Sequence, residues 1–136
     1  MGKMVKYPTI DRIVEYNLLA LTIIKVKKAD SPKVLSLTKL ANILDDCRNL
    51  DGDIYEKATF IFKNLIKGHV FASGNRRTAF IVIKDFLEQN GGKFKIKDDP
   101  TQAKVMVGIR EGYYTNDEIK EWIKHGKIKK FERFKR

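Results

Sequence analysis

Between Gly68 and Ala79 the chain reads GHVFASGNRRTA, a segment that concentrates the residue types phosphate chemistry needs. Gly74 lacks the side chain that would hold a ligand away from the backbone. Asn75 tolerates unusual dihedrals and still donates from its amide. Arg76 and Arg77 carry forked donors matched to phosphate oxygens, and Thr78 adds a hydroxyl. A helix starting here would present unpaired N–H groups and the positive end of its dipole. His69 stands at the other lip, where a neutral imidazole can take a proton from an incoming hydroxyl. The plainer alternative is a Gly-Asn turn followed by surface arginines, with His69 capping the carbonyls of the preceding helix.

Two helices must position such a loop. Ile54, Ala58, Ile61, Phe62, Leu65 and Ile66 recur at spacings of three and four, one inward face, and Gly68 is placed to terminate that run. Ala79, Phe80, Ile83, Phe86 and Leu87 repeat the pattern as far as Asn90-Gly91-Gly92. This pair predicts the core of a mainly α-helical domain. Upstream, Pro8 and Thr9 offer a helix start, with Ile10, Ile13, Val14, Leu18, Leu21 and Ile24 at helical spacing up to a break at Asp30-Ser31-Pro32. Val34, Leu35 and Leu37 make either a short extended piece or the entry to a second helix, capped by Thr38 and running through Leu40, Ile43 and Leu44. Asn49 to Asp53 is a loop.

Downstream, Lys93–Lys97 alternates lysine with Phe94 and Ile96, the pattern of an extended stretch with one wet face. A helix through Ala103, Val105, Met106, Val107 and Ile109 closes at Gly112. Thr115 and Glu118 form a capping box for a last helix carrying Ile119, Trp122 and Ile123, ended by Gly126. The chain thus divides into a poorly ordered lead-in (1–7), one domain (8–126) and a basic tail (127–136).

Composition bounds the function. A chain of 136 residues, 43% hydrophobic, suits one domain with one core. Its single cysteine, Cys47, excludes an internal disulfide, disfavours a zinc cluster and reads as a small apolar filler. No window approaches the roughly 18 apolar residues of a membrane span, so Asn17–Val26, flanked by Glu15 and Lys25, Lys27 and Lys28, reads as a buried helix of a cytoplasmic protein. The net charge of +11 suits nucleic acid, an anionic membrane surface, or an anionic ligand or protein. Because it is spread along the chain, it equally suits a lysine-rich solubilising background. The tail KIKKFERFKR interleaves Phe131 and Phe134 with cations, a stacking surface for nucleic acid or a solvated terminal face. Asp45, Asp46, Asp51 and Asp53 read as turn and cap residues rather than metal ligands, His125 as a complement to a helix dipole, Trp122 as a core anchor, and Tyr113 and Tyr114 as turn packing.

The loop also resembles the signature of the Fic/Doc family: His, any residue, Phe, any residue, Asp or Glu, Gly or Ala, Asn, Gly or Lys, Arg. His69, Phe71, Gly74, Asn75 and Arg77 match it in order and spacing. The continuation through Thr78-Ala79 to Asn90-Gly91, and the later helix, Gly-Tyr-Tyr turn and final helix with Trp122, are similar to the Doc branch. The resemblance implies a Fic-type helical bundle with a short β-hairpin flap. It implies a transferase that moves AMP from ATP, or, in the Doc branch, a phosphoryl group, to a Ser, Thr or Tyr hydroxyl of a target protein. His69 would be the general base and Phe71 the loop's anchor in the core. Gly74, Asn75 and Arg76 would line the anion nest, and Arg77 would grip the phosphates of ATP or another nucleoside triphosphate.

Two positions depart from the pattern. Ser73 occupies the acidic position that holds Mg²⁺ in relatives; a hydroxyl brings no charge and is a weak magnesium ligand. The resemblance therefore carries no metal over to this loop. Arg76 stands where relatives have Gly or Lys and offers a fixed cation beside the phosphates. No Ser or Thr has Glu four residues on, so the inhibitory motif of many relatives is missing, and a toxin of this kind would be restrained by an antitoxin acting in trans or by weak intrinsic activity. The expectations are thus a transferase, a degenerate Fic domain that binds nucleotide or a partner without turnover, and a basic nucleic-acid-associated module, with no membrane partner in any of the three.

Overall fold

The computed structural model of the chain describes residues 4–23 and 33–132. Six helices account for most of them: α1 (Ile10–Ile23), α2 (Leu37–Asn49), α3 (Ile54–Lys67), α4 (Asn75–Gln89), α5 (Gln102–Arg110) and α6 (Asn116–His125). The apolar stripe of α3 explains the arrangement. Ala58, Ile61, Phe62, Leu65 and Ile66 are buried on it, and it packs against α2, α4, α5 and α6, while α1 covers α4 and touches α2. The fold is a mainly α-helical domain built around α3.

Local chemistry sets the helix limits. Asp53 and Glu56 exchange side-chain and backbone hydrogen bonds at the start of α3, and Thr115 and Glu118 do the same for α6; each such cap is worth about 1 kcal/mol. Gly126 closes α6 at φ 74, in the left-handed region where a side chain is disfavoured. The start of α2 differs from the expectation: Ser36, not Thr38, is its cap, accepting from the Lys39 N–H. The reason lies upstream, where Val34 forms an isolated antiparallel bridge with Phe71, and the Leu35 N–H donates to the Val70 carbonyl at 2.7 Å. Pairing of the Leu35 and Ser36 N–H groups with the Val70 carbonyl therefore holds the chain out of the helix as far as Ser36, and the helix starts at Leu37.

That bridge is the β pairing seen among the described residues; they contain no strand ladder and no hairpin flap. Lys93–Lys97 belongs to no helix or strand, but Ile96 is buried and its lysines are exposed, as the alternation implied, and the segment lies against the end of α6, the Lys95 N–H donating to the Ile123 carbonyl. Residues 5–7 are docked on the domain, whereas Met4 is exposed. Both backbone groups of Lys6 bond the Asn90 side chain, and Tyr7 lies 6.2 Å from the Phe86 ring.

The inward face of α1 is rotated from the expected one. Ile13, Asn17, Ala20 and Leu21 are buried, whereas Leu18 and Leu19 are 47% and 46% exposed. Ile24 and the Asp30-Ser31-Pro32 break lie outside the described residues.

Candidate functional site

The loop joining α3 to α4 is held from both ends. At its entry the Gly68 N–H caps α3 on the Asn64 carbonyl at 2.8 Å. Gly68 itself is right-handed; the left-handed step falls on His69, at φ 50 the one non-glycine residue with positive φ among those described. Histidine tolerates this region better than most side chains, but it still costs on the order of 1 kcal/mol, and such costs cluster at functional sites. The chain then lies along residues 33–36, which places Phe71 in the core at 1% exposure.

Asn75, at the start of α4, folds its amide back on the loop. Its Oδ1 accepts from the Phe71 N–H at 3.0 Å and its Nδ2 donates to the Phe71 carbonyl at 2.8 Å. The amide therefore clamps the loop, and Asn75 also lines the cavity described below. Gly74 precedes it at φ 77, and no side chain caps the helix start. A Cβ at Gly74 would lie 3.1 Å from Leu21 Cδ2 and 3.4 Å from Asn17 Nδ2, so glycine is needed first for the turn and for the seat of α1.

Asn17 carries no signal of its role in the sequence. It is 2% exposed in the apolar run of α1, and its Nδ2 donates to the Ser73 carbonyl at 2.9 Å and to Thr78 Oγ1 at 3.1 Å. Thr78 Oγ1 in turn donates to the Gly74 carbonyl at 2.7 Å. The Thr78 hydroxyl is thus turned into the protein, away from any ligand. Replacing Asn17 with alanine strands the Ser73 carbonyl and is expected to lower the unfolding free energy by about 2 kcal/mol; urea denaturation measures it.

A cavity of about 660 Å³ lies between this loop and the segment leading into α5. His69 and Ser73–Arg77 line one side, and Lys97, Asp98, Asp99, Gln102 and Arg110 the other, over an apolar floor that includes Ile66, Phe80 and Met106. His69, Ser73, Gly74, Asn75, Arg76 and Arg77 are therefore brought together as the spacing implied. The far wall was not foreseen, because Asp98-Asp99-Pro100 reads locally as a turn. Gln102 is fixed there by accepting from Trp122 Nε1 at 3.0 Å, which ties the wall to the core beneath.

Within the cavity the two arginines differ. Arg76 is exposed, and no ion pair engages it among the described residues. Arg77 is forked onto Asp98, Nη1 to Oδ1 at 2.6 Å and Nη2 to Oδ2 at 3.0 Å, with its guanidinium 5.2 Å from the Phe80 ring centre. Its Nε is buried without a partner. The hydrogen bonds from Arg77 hold the Asp98 carboxyl below the usual carboxylate range, and those to Asp98 raise Arg77.

The residues fit a resident divalent cation poorly. Ser73 contributes a neutral hydroxyl, Asp98 is engaged by Arg77, and Asp99 accepts from the Thr101 backbone and hydroxyl. No group of three or more His, Cys, Asp or Glu is placed to hold a metal among the described residues.

The remaining candidates have structural explanations. Burial pushes the Cys47 thiol up to about 11, consistent with an inert filler. Asp53 caps α3 and Asp45 pairs with Arg48. Trp122 is 1% exposed and stacked on Phe62. Tyr114 donates its hydroxyl to the Lys129 carbonyl at 2.9 Å. In the tail, Phe131 lies 5.1 Å from the Tyr113 ring and packs against the core, and Lys129 pairs with Glu118 at 3.1 Å. Phe131 is thus docked on its own domain rather than presented for base stacking; Phe134 lies outside the described residues.

No described helix is long and apolar enough to cross a membrane. No curated protein matches the chain in sequence. Residues 27–87 match the model of the Fic/DOC family, a span that includes α2, α3, the His69–Arg77 loop and most of α4. Over that segment the chain is similar to the Fic/DOC family.

Proposed function

We propose that the domain transfers a phosphoryl or AMP group from ATP, or another nucleoside triphosphate, to a Ser, Thr or Tyr hydroxyl of a target protein. The observation that carries this reading is the single cavity joining His69, the uncapped start of α4, Arg76 and Arg77. In phosphoryl transfer the protein chiefly positions the reactants and stabilises charge. Backbone N–H groups at the start of α4 and the two guanidinium groups supply the charge stabilisation. His69 takes the proton of the attacking hydroxyl, and the apolar floor seats the base or the target side chain. Arg76 serves as the fixed cation beside Ser73, so no step depends on a metal held by this loop. On this reading ATP binds with similar affinity with and without Mg²⁺, measured by calorimetry; a strict Mg²⁺ requirement contradicts that assignment.

Arg76, resembling the lysine of the Doc branch, favours the phosphorylating form, a cytoplasmic toxin held in check by an antitoxin in trans. Purified protein incubated with cell extract and ATP labelled at the α or the γ phosphate separates the chemistries. Label from the γ position alone identifies a kinase, and α label identifies nucleotidyl transfer. The second reading is a degenerate Fic domain that binds nucleotide without turnover, favoured by Ser73 and by the engagement of Arg77 with Asp98. It predicts ATP binding with no label that depends on His69. Binding of DNA or RNA that is salt-sensitive and lost on deleting residues 127–136 would instead favour the nucleic-acid module.

A further inference from the structure

Arg77 is the guanidinium assigned above to phosphate, yet its two forward donors already face a carboxylate. Asp98 accepts from both Nη atoms in the parallel fork that a phosphate would also take. The third donor, Nε, is buried and cannot be offered to a ligand instead. A phosphate can therefore use the fork of Arg77 only where Asp98 gives way. The neighbouring carboxylate does not share this position, because Asp99 is turned back onto Thr101.

Asp98 is free to give way. It lies between α4 and α5, outside any helix, and its side chain is 57% exposed against 24% for Arg77. A second hollow adjoins it, lined by Arg77, Phe80, Lys84 and Asp98, with the carboxylates of Asp85 and Glu88 on the same wall of α4. Lys84 stands two turns along α4 from Arg77, and its charge already favours the Asp98 carboxylate. A carboxylate displaced from Arg77 keeps Lys84 as a nearby cation, while Asp85 and Glu88 limit how far into that hollow it moves.

We infer that Asp98 is an internal competitor, a carboxylate latch that occupies the phosphate-binding fork of Arg77 until an anionic ligand displaces it. The inference rests on the proposed role of Arg77 and adds a regulatory element to that site. Its consequence has a definite sign. If Asp98 competes, removing its charge strengthens phosphate binding. If Asp98 instead only orients Arg77 for the ligand, removing its charge weakens binding.

The test uses the full chain and inorganic pyrophosphate, a probe with no base to find other contacts, titrated by calorimetry. Asp98→Asn and Asp98→Ala are compared with the unaltered protein and with Arg77→Ala, thermal melting serving to show that each variant is folded. The latch predicts that both Asp98 variants bind pyrophosphate about two- to fivefold more tightly, the scale of a partly exposed ion pair, and that Arg77→Ala binds more weakly. Binding by Asp98→Asn where the unaltered protein shows none also supports it. Equal or weaker binding by both Asp98 variants overturns the latch while leaving Arg77 as a phosphate ligand. Pyrophosphate binding that Arg77→Ala leaves unchanged, or no binding by any form, overturns the proposed role of Arg77 and the latch with it.

Discussion

Replacing His69 with glycine is expected to lower transfer of label from ATP to protein by a factor of about 10²–10⁴, the usual contribution of a positioned acid–base group. Glycine is the better replacement for a reason specific to this loop. At φ 50 the His69 backbone is left-handed, which glycine adopts freely and alanine does not. His69→Gly should therefore be more stable than His69→Ala by about 1 kcal/mol, while both lose the imidazole. Equal loss of label in the two variants, with different melting temperatures, separates the chemical role from the structural one. Label that persists in His69→Gly assigns the proton transfer elsewhere or reduces the domain to a binder.

The largest structural effect is expected at Phe71. Its ring is fully buried, so Phe71→Ala should cost about 3–5 kcal/mol by lost burial and a residual cavity. That is a large part of the stability of a small domain. The damage reaches the site because both Phe71 backbone groups hold the Asn75 amide. A loosened loop frees that clamp and the start of α4 with it. Urea denaturation should show the loss, and calorimetry should show weaker ATP binding at temperatures where the variant remains folded. Phe71→Leu should recover most of both; a destabilised Phe71→Ala that binds ATP normally would detach the anchor from the cradle.

Much of this was legible in the chain because local rules and the fold agree. The Ile54–Ile66 stripe, the Thr115–Glu118 capping box and Gly126 act within one or two helical turns, so spacing alone locates α3 and α6. The loop was equally plain, since its residues are contiguous. What stayed hidden depends on contacts between distant segments. Asn17 sits 56 positions from Ser73, and in sequence it is merely a polar residue within an apolar run, which led the buried face of α1 to be drawn through Leu18. Asp98 is 21 positions from Arg77, and nothing in KIKDDP says that its carboxylate reaches back across the cavity. Ser36 and Thr38 are both good caps by type; a backbone hydrogen bond from Leu35 to Val70 selects the first.

The same contrast explains the roles within the loop. Residue types there suggested five groups facing a ligand, but the fold turns the Asn75 amide and the Thr78 hydroxyl inward to hold the turn. What remains for an anion is backbone, Arg76, and Arg77 once Asp98 is displaced. This is a smaller set of donors than the sequence suggested, and its wall comes from a segment the motif does not include.

On the proposed function, this cavity holds the phosphates of a nucleotide beside His69. The most direct measurement is an amide NMR titration of the full chain with ATP. The expected result is a set of saturable shifts at His69, at Ser73–Arg77, and at Asp98 and Gln102 across the cavity, with residues 127–132 unmoved. Shifts confined to the basic tail, or no saturable shift in the loop, would contradict it.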